Sequence, residues 1–339
     1  MQFNMSSIFL ESFASTDILR KSVDPFRAGI QEHKKFITGQ NRGIQDILWP
    51  YIYEREDLLT GWQHPNLVVP YLLNEIFEVS DRSKLSKIAA AYLACDHFTH
   101  VMDDLADEPV NGNPALLGHA SHVLLSRGRN IYLSMSSDAS AFLEFFDQYL
   151  ENAMKGEQWL WGRKLTVAPY DVQDFEMLRA RGCVINICLV AYCDIAERWD
   201  LWRPLEQALG QAAIGIQLLD DVVDIEQDFT NGTYTMPLSA AIRETNKTAP
   251  SWNDISFCLL RGNAWKETVD LAKEYLQRAH REFQEIGFSS GARMLSEIIS
   301  NSEAFLRLDK QTATKLGSSN AAEMLSGILR QPIVRAMSH

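Results

Sequence analysis

Two runs of aspartate carry the chemistry legible in this chain: Asp103-Asp104-Leu105-Ala106-Asp107-Glu108, and Asp220-Asp221-Val222-Val223-Asp224-Ile225-Glu226-Gln227-Asp228. Each contains an Asp-Asp-x-x-Asp pattern. On a helix, residues four apart lie about 40° from one another around the axis, so Asp103 and Asp107 share a face. The second run extends its row to Asp220, Asp224 and Asp228, a single carboxylate stripe. Two unit negative charges ~5 Å apart repel by roughly 3 kcal/mol at an effective dielectric of 20. One such row alone is ordinarily a solvated helix face. Two rows, each preceded by apolar sequence (Ala89 to Met102, and Ala212 to Leu219), point instead to metal binding. Carboxylates suit hard divalent cations, and Mg²⁺ keeps part of its water shell and bridges to phosphate.

The elements that must position these acids read as helices. Prolines are sparse, and between them apolar residues recur at helical spacing, as in Phe142, Phe145, Phe146, Tyr149 and Ala153. Alternating strand patterns are scarce, and breakers cluster at Gly61 to Pro65, Glu108 to Pro114, Asn231-Gly232 and Ser289 to Gly291. The expected fold is all-α, a single-domain bundle of long helices. Residues 1–60 are expected to form shorter helices packed on its outside, and residues 61–339 the catalytic domain.

Bulk properties exclude several classes. A net charge of −12 without a basic patch argues against a nucleic-acid partner. Val68 to Tyr71 and Ile88 to Cys95 are too short to span a membrane. The stretch Met1 to Phe13 lacks the pattern of a secretory signal. Five cysteines without metal-ligand spacing read as reduced thiols of a cytoplasmic protein.

The paired aspartate motifs, Gly215-x-Gln217 ahead of the second, and the segment Thr235-Met236-Pro237-Leu238 resemble the trans-isoprenyl diphosphate (polyprenyl) synthases. The resemblance covers roughly Gly61 to Ala241. It implies the isoprenoid synthase fold, in which two helices face each other across a deep apolar cavity and hold three Mg²⁺ ions on a prenyl diphosphate. Asp103, Asp104 and Asp107 would bind two of the ions, and Asp220 and Asp224 the third, with Gln217 nearby. Arg181 matches a basic residue that senses the diphosphate, with Arg179 as the alternative. Catalysis would then rest on Asp103, Asp107, Asp220 and Arg181. Phe98, about one turn before the first motif, would limit the prenyl chain to geranyl or farnesyl, with geranylgeranyl within reach. Members of this fold are usually homodimers. His97 and His100 read as hydrogen-bonded core or rim groups, because imidazole suits Mg²⁺ poorly.

Departures from the family pattern shift the expected chemistry. Chain-elongating members carry cations that bind isopentenyl diphosphate in a Gly-Gly-Lys-x-x-Arg-Pro segment, an Arg-Arg-Gly segment and a Gly-Lys pair. The corresponding stretches here are His64 to Pro70, Pro109 to Pro114 and Gly232-Thr233, none with a Lys or Arg. Without them a second diphosphate lacks its charge-assisted hydrogen bonds. Asp228 adds the i+8 acid with which terpene cyclases hold their third metal. The leading expectation is therefore a Mg²⁺-dependent terpene synthase. The alternatives are a prenyltransferase, either a short-chain prenyl diphosphate synthase or one using another acceptor, and a non-catalytic partner subunit.

Overall fold

The computed structural model describes residues 17–53, 65–107, 114–163, 165–313 and 325; the side chains of Asp103, Asp104 and Asp107 lie outside the described set. The described residues contain helices and no strand, as the periodicity requires. In chain order the helices are α1 (Asp17–Thr38), α2 (Arg42–Tyr53), α3 (Pro65–Phe77), α4 (Arg82–Asp107), α5 (Pro114–Leu133), α6 (Ala139–Arg163) and α7 (Val172–Arg181). After them come α8 (Cys183–Ala196), a 3₁₀ turn (Trp199–Leu201), α9 (Trp202–Val223), α10 (Ile225–Asn231), α11 (Met236–Thr245), α12 (Trp252–Arg261), α13 (Ala264–Ile286) and α14 (Ser289–Ala313). Among the described residues no helix is long and apolar enough to cross a membrane.

The chain forms two compact units. The first comprises α1 to α5, α6 up to Leu150, and α8 with the turn that follows it; the second holds the rest of α6, α7, and α9 from Pro204 through α14. In the first, α4 is the central element: Ile88 to His97 are all buried, which a helix shows only when neighbours cover its whole circumference. Those neighbours are α1, α3, α5 and α8. Small residues make the fit possible. A β-carbon at Gly29 of α1 would collide with Ser86 O and Ala89, and one at Gly128 of α5 with Cys95 Sγ, 3.0 Å from Ala91 O. Gly128→Val should therefore cost about 2–3 kcal/mol through overpacking, read as a lowered urea midpoint; an unchanged midpoint would show that α4 and α5 can part freely.

Helix α1 departs from the expectation of short outer helices. It runs 22 residues through Pro25 and lays Phe26, Ile30, His33 and Ile37 into the core. Likewise α3 starts at Pro65, where the missing N–H costs nothing, and continues through Pro70, whose carbonyl accepts from the buried Tyr192 hydroxyl at 3.0 Å. Of the cysteines, Cys95, Cys188, Cys193 and Cys258 are free thiols, the first three buried.

In the second unit α9 buries Leu205, Leu209, Ala212, Leu218, Leu219 and Val222. Helix α13 contributes Trp265, Val269, Ala272, Leu276 and Phe283 to the same unit's core and packs on α11, α12 and α14. Gly215 is where α9 meets α13, since a β-carbon there would lie 2.9 Å from Ala272 O and against Leu276.

Candidate active site

The second aspartate run lies at the end of α9 and into α10. The expected stripe is broken once: Asp224 stands between the two helices with φ −92° and ψ 7°. Its N–H still bonds Asp220 O, and the Asp228 N–H bonds Asp224 O, both at 2.9 Å, so the i, i+4, i+8 row keeps its register. The acids differ in environment. Asp221 is buried, Asp220 and Asp228 partly so, and Asp224 exposed. Asp228 accepts from Thr235 Oγ1 at 2.9 Å, while its backbone carbonyl receives the Thr233 N–H at 2.8 Å and closes α10.

Burial pushes three of these carboxyls far above the ordinary carboxylate range. Asp220 rises to about 7, chiefly by desolvation and then by repulsion from Asp224 and Asp221, against the opposing pull of Arg181. Asp221 rises to about 6 by desolvation, moderated by Gln217 and Arg181. Asp228 rises to about 8 by desolvation and the Asp221 charge. An array of carboxylates that is disfavoured when ionised is what a cation site presents before its ion arrives.

One side chain ties the array together. Gln217, one turn before the run, donates from Nε2 to Asp221 Oδ1 at 3.0 Å and to Asp220 Oδ2 at 3.4 Å, and its Oε1 accepts from Arg181 Nη1 at 3.3 Å. The structure thus joins Arg181, Gln217 and Asp220 in one network. Arg179 is directed elsewhere: its side chain lies over Gly210, and its Nη1 is 4.0 Å from Glu176.

The placement of Arg181 depends on how α6 meets α7. Asp171 caps α7 in a reciprocal box with Asp174. Asp174 also accepts from Trp159 Nε1 of α6 at 2.9 Å and faces Arg163 Nε at 3.6 Å. The Arg163 guanidinium donates to Thr166 O and Ala168 O and lies 4.3 Å from the Tyr170 ring centroid. The Tyr170 hydroxyl is made less acidic by burial and then by the Asp221 charge.

Asp221 and Glu157, which meets Arg181, were not singled out by sequence as site residues. The Asp221 signal was present, because Ile214, Leu218, Asp221 and Ile225 form one helical row that is otherwise apolar.

The chemistry of this donor set fits Mg²⁺. Asp221 Oδ2 makes no hydrogen bond among the described residues, although it is buried. Among those residues no three acid, His or Cys side chains converge to form a complete cage. Mg²⁺ bound by one or two carboxylates with water and phosphate needs no such cage.

In the first unit, Asp103, Asp104 and Asp107 end α4, their side chains outside the described residues. Phe98, upstream on α4, is half-buried. His97 is buried and hydrogen-bonded to His33 at 3.0 Å, and His100 lies 3.5 Å from Asp96. Desolvation holds the His33 imidazole down to about 3, so His33 is a neutral core group. Of the aromatics on α6, Phe142, Phe146 and Tyr149 are buried, Trp159 binds Asp174, and Trp161 is 51% exposed. Trp161 is therefore not part of the core.

The sequence matches no protein-family model and no curated protein. Solved structures do match. A geranylgeranyl pyrophosphate synthase from Lactobacillus brevis aligns over 94% of this chain and 99% of its own, with a TM-score of 0.67 at 12% identity. A polyprenyl synthase from Caulobacter crescentus, complexed with calcium and isoprenyl diphosphate, aligns over 82% and 95%, with a TM-score of 0.66 at 17% identity. A heptaprenyl diphosphate synthase from Staphylococcus aureus aligns over 82% and 98%, with a TM-score of 0.64 at 14% identity. The fold is that of the trans-isoprenyl diphosphate synthases, the isoprenoid synthase fold.

Proposed function

We propose that the chain is a Mg²⁺-dependent prenyltransferase that ionises a geranyl, farnesyl or geranylgeranyl diphosphate, joins the prenyl group to an acceptor and releases diphosphate. The observation that carries this reading is the Arg181–Gln217–Asp220/Asp221 network, a fixed cation beside carboxylates that resist ionisation. The solved structures sharing the fold are prenyl synthases by name, which favours transfer over the cyclisation expected from sequence.

In this reading Asp220, Asp224 and Asp228 would hold one Mg²⁺, and Asp103, Asp104 and Asp107 would hold two more. Bound there, Mg²⁺ supplies Lewis-acid stabilisation of the charge that develops on the departing diphosphate. Arg181 donates charge-assisted hydrogen bonds to the same oxygens. Gln217 fixes the Asp220 and Asp221 carboxylates so that little reorganisation is needed as the bond breaks. The protein acts as a homodimer in the cytoplasm, with residues 61–339 as its catalytic domain. Phe98 limits the prenyl chain, so Phe98→Ala should shift the preferred substrate one isoprene unit longer; an unchanged length profile would remove Phe98 from the pocket wall.

The second reading, a terpene synthase, is favoured by the stretches His64 to Pro70 and Gly232-Thr233, where elongating enzymes carry cations for isopentenyl diphosphate and this chain has none. Gas chromatography–mass spectrometry of products separates the two. Each prenyl diphosphate is supplied with Mg²⁺, with and without isopentenyl diphosphate. A longer diphosphate made only with isopentenyl diphosphate establishes transfer. A hydrocarbon or alcohol from one substrate alone establishes the synthase and overturns the proposal.

A further inference from the structure

Arg181 is the cation of the candidate site, and it is already engaged by a carboxylate. Its Nε lies 2.6 Å from Glu157 Oε1 on α6, while Nη1 reaches Gln217. The pair is only partly solvated, with the arginine side chain 21% and the glutamate 37% exposed. The meeting is built into the backbone. A β-carbon at Gly156 would lie 2.9 Å from Met177 O and 3.1 Å from Arg181 Cγ, so only glycine lets α6 approach α7 this closely. The Trp159–Asp174 bond and the Arg163 contacts, one and two turns further along α6, hold that approach.

Arg181 Nη1 reaches the acid array through Gln217, whereas Glu157 takes its Nε directly. Glu157 draws the guanidinium toward α6 and competes for donors that a diphosphate would otherwise take.

We infer that Glu157 is a positioning residue that restrains Arg181: its carboxylate aims the guanidinium along Gln217 and offsets its charge until Mg²⁺-bound diphosphate takes over the same donors. The inference rests on the diphosphate reading of the site. Affinity for diphosphate is then held below the maximum the site could reach, which favours release of that product.

The test is calorimetric titration of inorganic pyrophosphate with Mg²⁺ into the full chain and its variants. Glu157→Gln keeps the hydrogen-bond geometry and removes the charge. It should tighten pyrophosphate binding about fivefold, the scale of a partly exposed ion pair. In an Arg181→Gln background the same change should have no effect, which damage to the fold would not reproduce. Glu157→Asp, one methylene shorter, should give a smaller gain in the same direction and serves if the glutamine variant does not fold. Unchanged or weakened binding in folded Glu157→Gln overturns the inference, as does tightening that persists without Arg181. Failure of the unaltered chain to bind pyrophosphate with Mg²⁺ overturns the diphosphate reading, and this inference with it.

Discussion

The substitution Asp220→Asn lowers turnover of the prenyl diphosphate by about 10³-fold while leaving the fold intact, and Asp103→Asn does the same. The scale is that of removing one preorganised electrostatic group from a site where charge develops in the transition state. At Asp220 a second, opposite effect accompanies the loss. Its carboxyl is pushed up to about 7, mainly by desolvation, so at pH 8 the folded chain holds an ionised group that it disfavours. Asparagine removes that penalty. The metal-free variant should therefore melt higher than the parent at pH 8, by about 2–4 °C for each kcal/mol relieved. Activity near that of the parent in either variant would remove the aspartates from the metal site. A lowered melting temperature for Asp220→Asn would show that its carboxylate stabilises the fold.

Stability of the metal-free chain falls as pH rises from about 5 to about 8.5. Asp221, Asp220 and Asp228 titrate in the folded state near 6, 7 and 8, against 3.8 for an ordinary aspartate. Between those limits the folded chain binds more protons than the unfolded chain, so the slope of stability with pH is negative. The contribution is fully present below about 4 and is lost as pH climbs through the folded values. Mg²⁺ with pyrophosphate binds the ionised forms, so its stabilisation grows with pH and its binding releases protons. Thermal denaturation in EDTA and in Mg²⁺–pyrophosphate, at pH 5.5 and 8.5, measures both slopes. Equal stabilisation by the ligand at the two pH values would contradict the account.

Much of this was legible before any coordinates. The apolar runs ahead of each aspartate cluster specify α4 and α9, and the i, i+4, i+8 spacing specifies the acid row. The break at Asp224 was not legible, because both backbone bonds across it survive and the register does not change. Pro25 and Pro70 depart from the usual rule. Each ordinarily marks a helix boundary, yet both lie inside helices whose buried faces, Phe26 and Ile30 in one and Tyr71 and Leu72 in the other, outweigh one lost hydrogen bond.

The link between Arg181 and Glu157 was beyond sequence for a different reason. Those residues lie on separate helices, and their meeting depends on the contact that Gly156 allows and on the Trp159–Asp174 and Arg163 fastenings. Periodicity finds which face of a helix is buried; it does not find which charged residue on the next helix will oppose it. The missing basic residues were equally plain in sequence, but they describe a second substrate, and the fold alone does not choose an acceptor.

The most direct measurement is binding of a non-ionisable thiolo analogue of farnesyl diphosphate, by calorimetry, with Mg²⁺ and with EDTA, to the parent chain and to Asp220→Asn. It requires no knowledge of the acceptor. The account predicts micromolar or tighter binding that needs Mg²⁺ and weakens at least tenfold in the variant, about 1.4 kcal/mol or more. Binding that is equally tight in EDTA, or unchanged by Asp220→Asn, would contradict a metal-held diphosphate at this site.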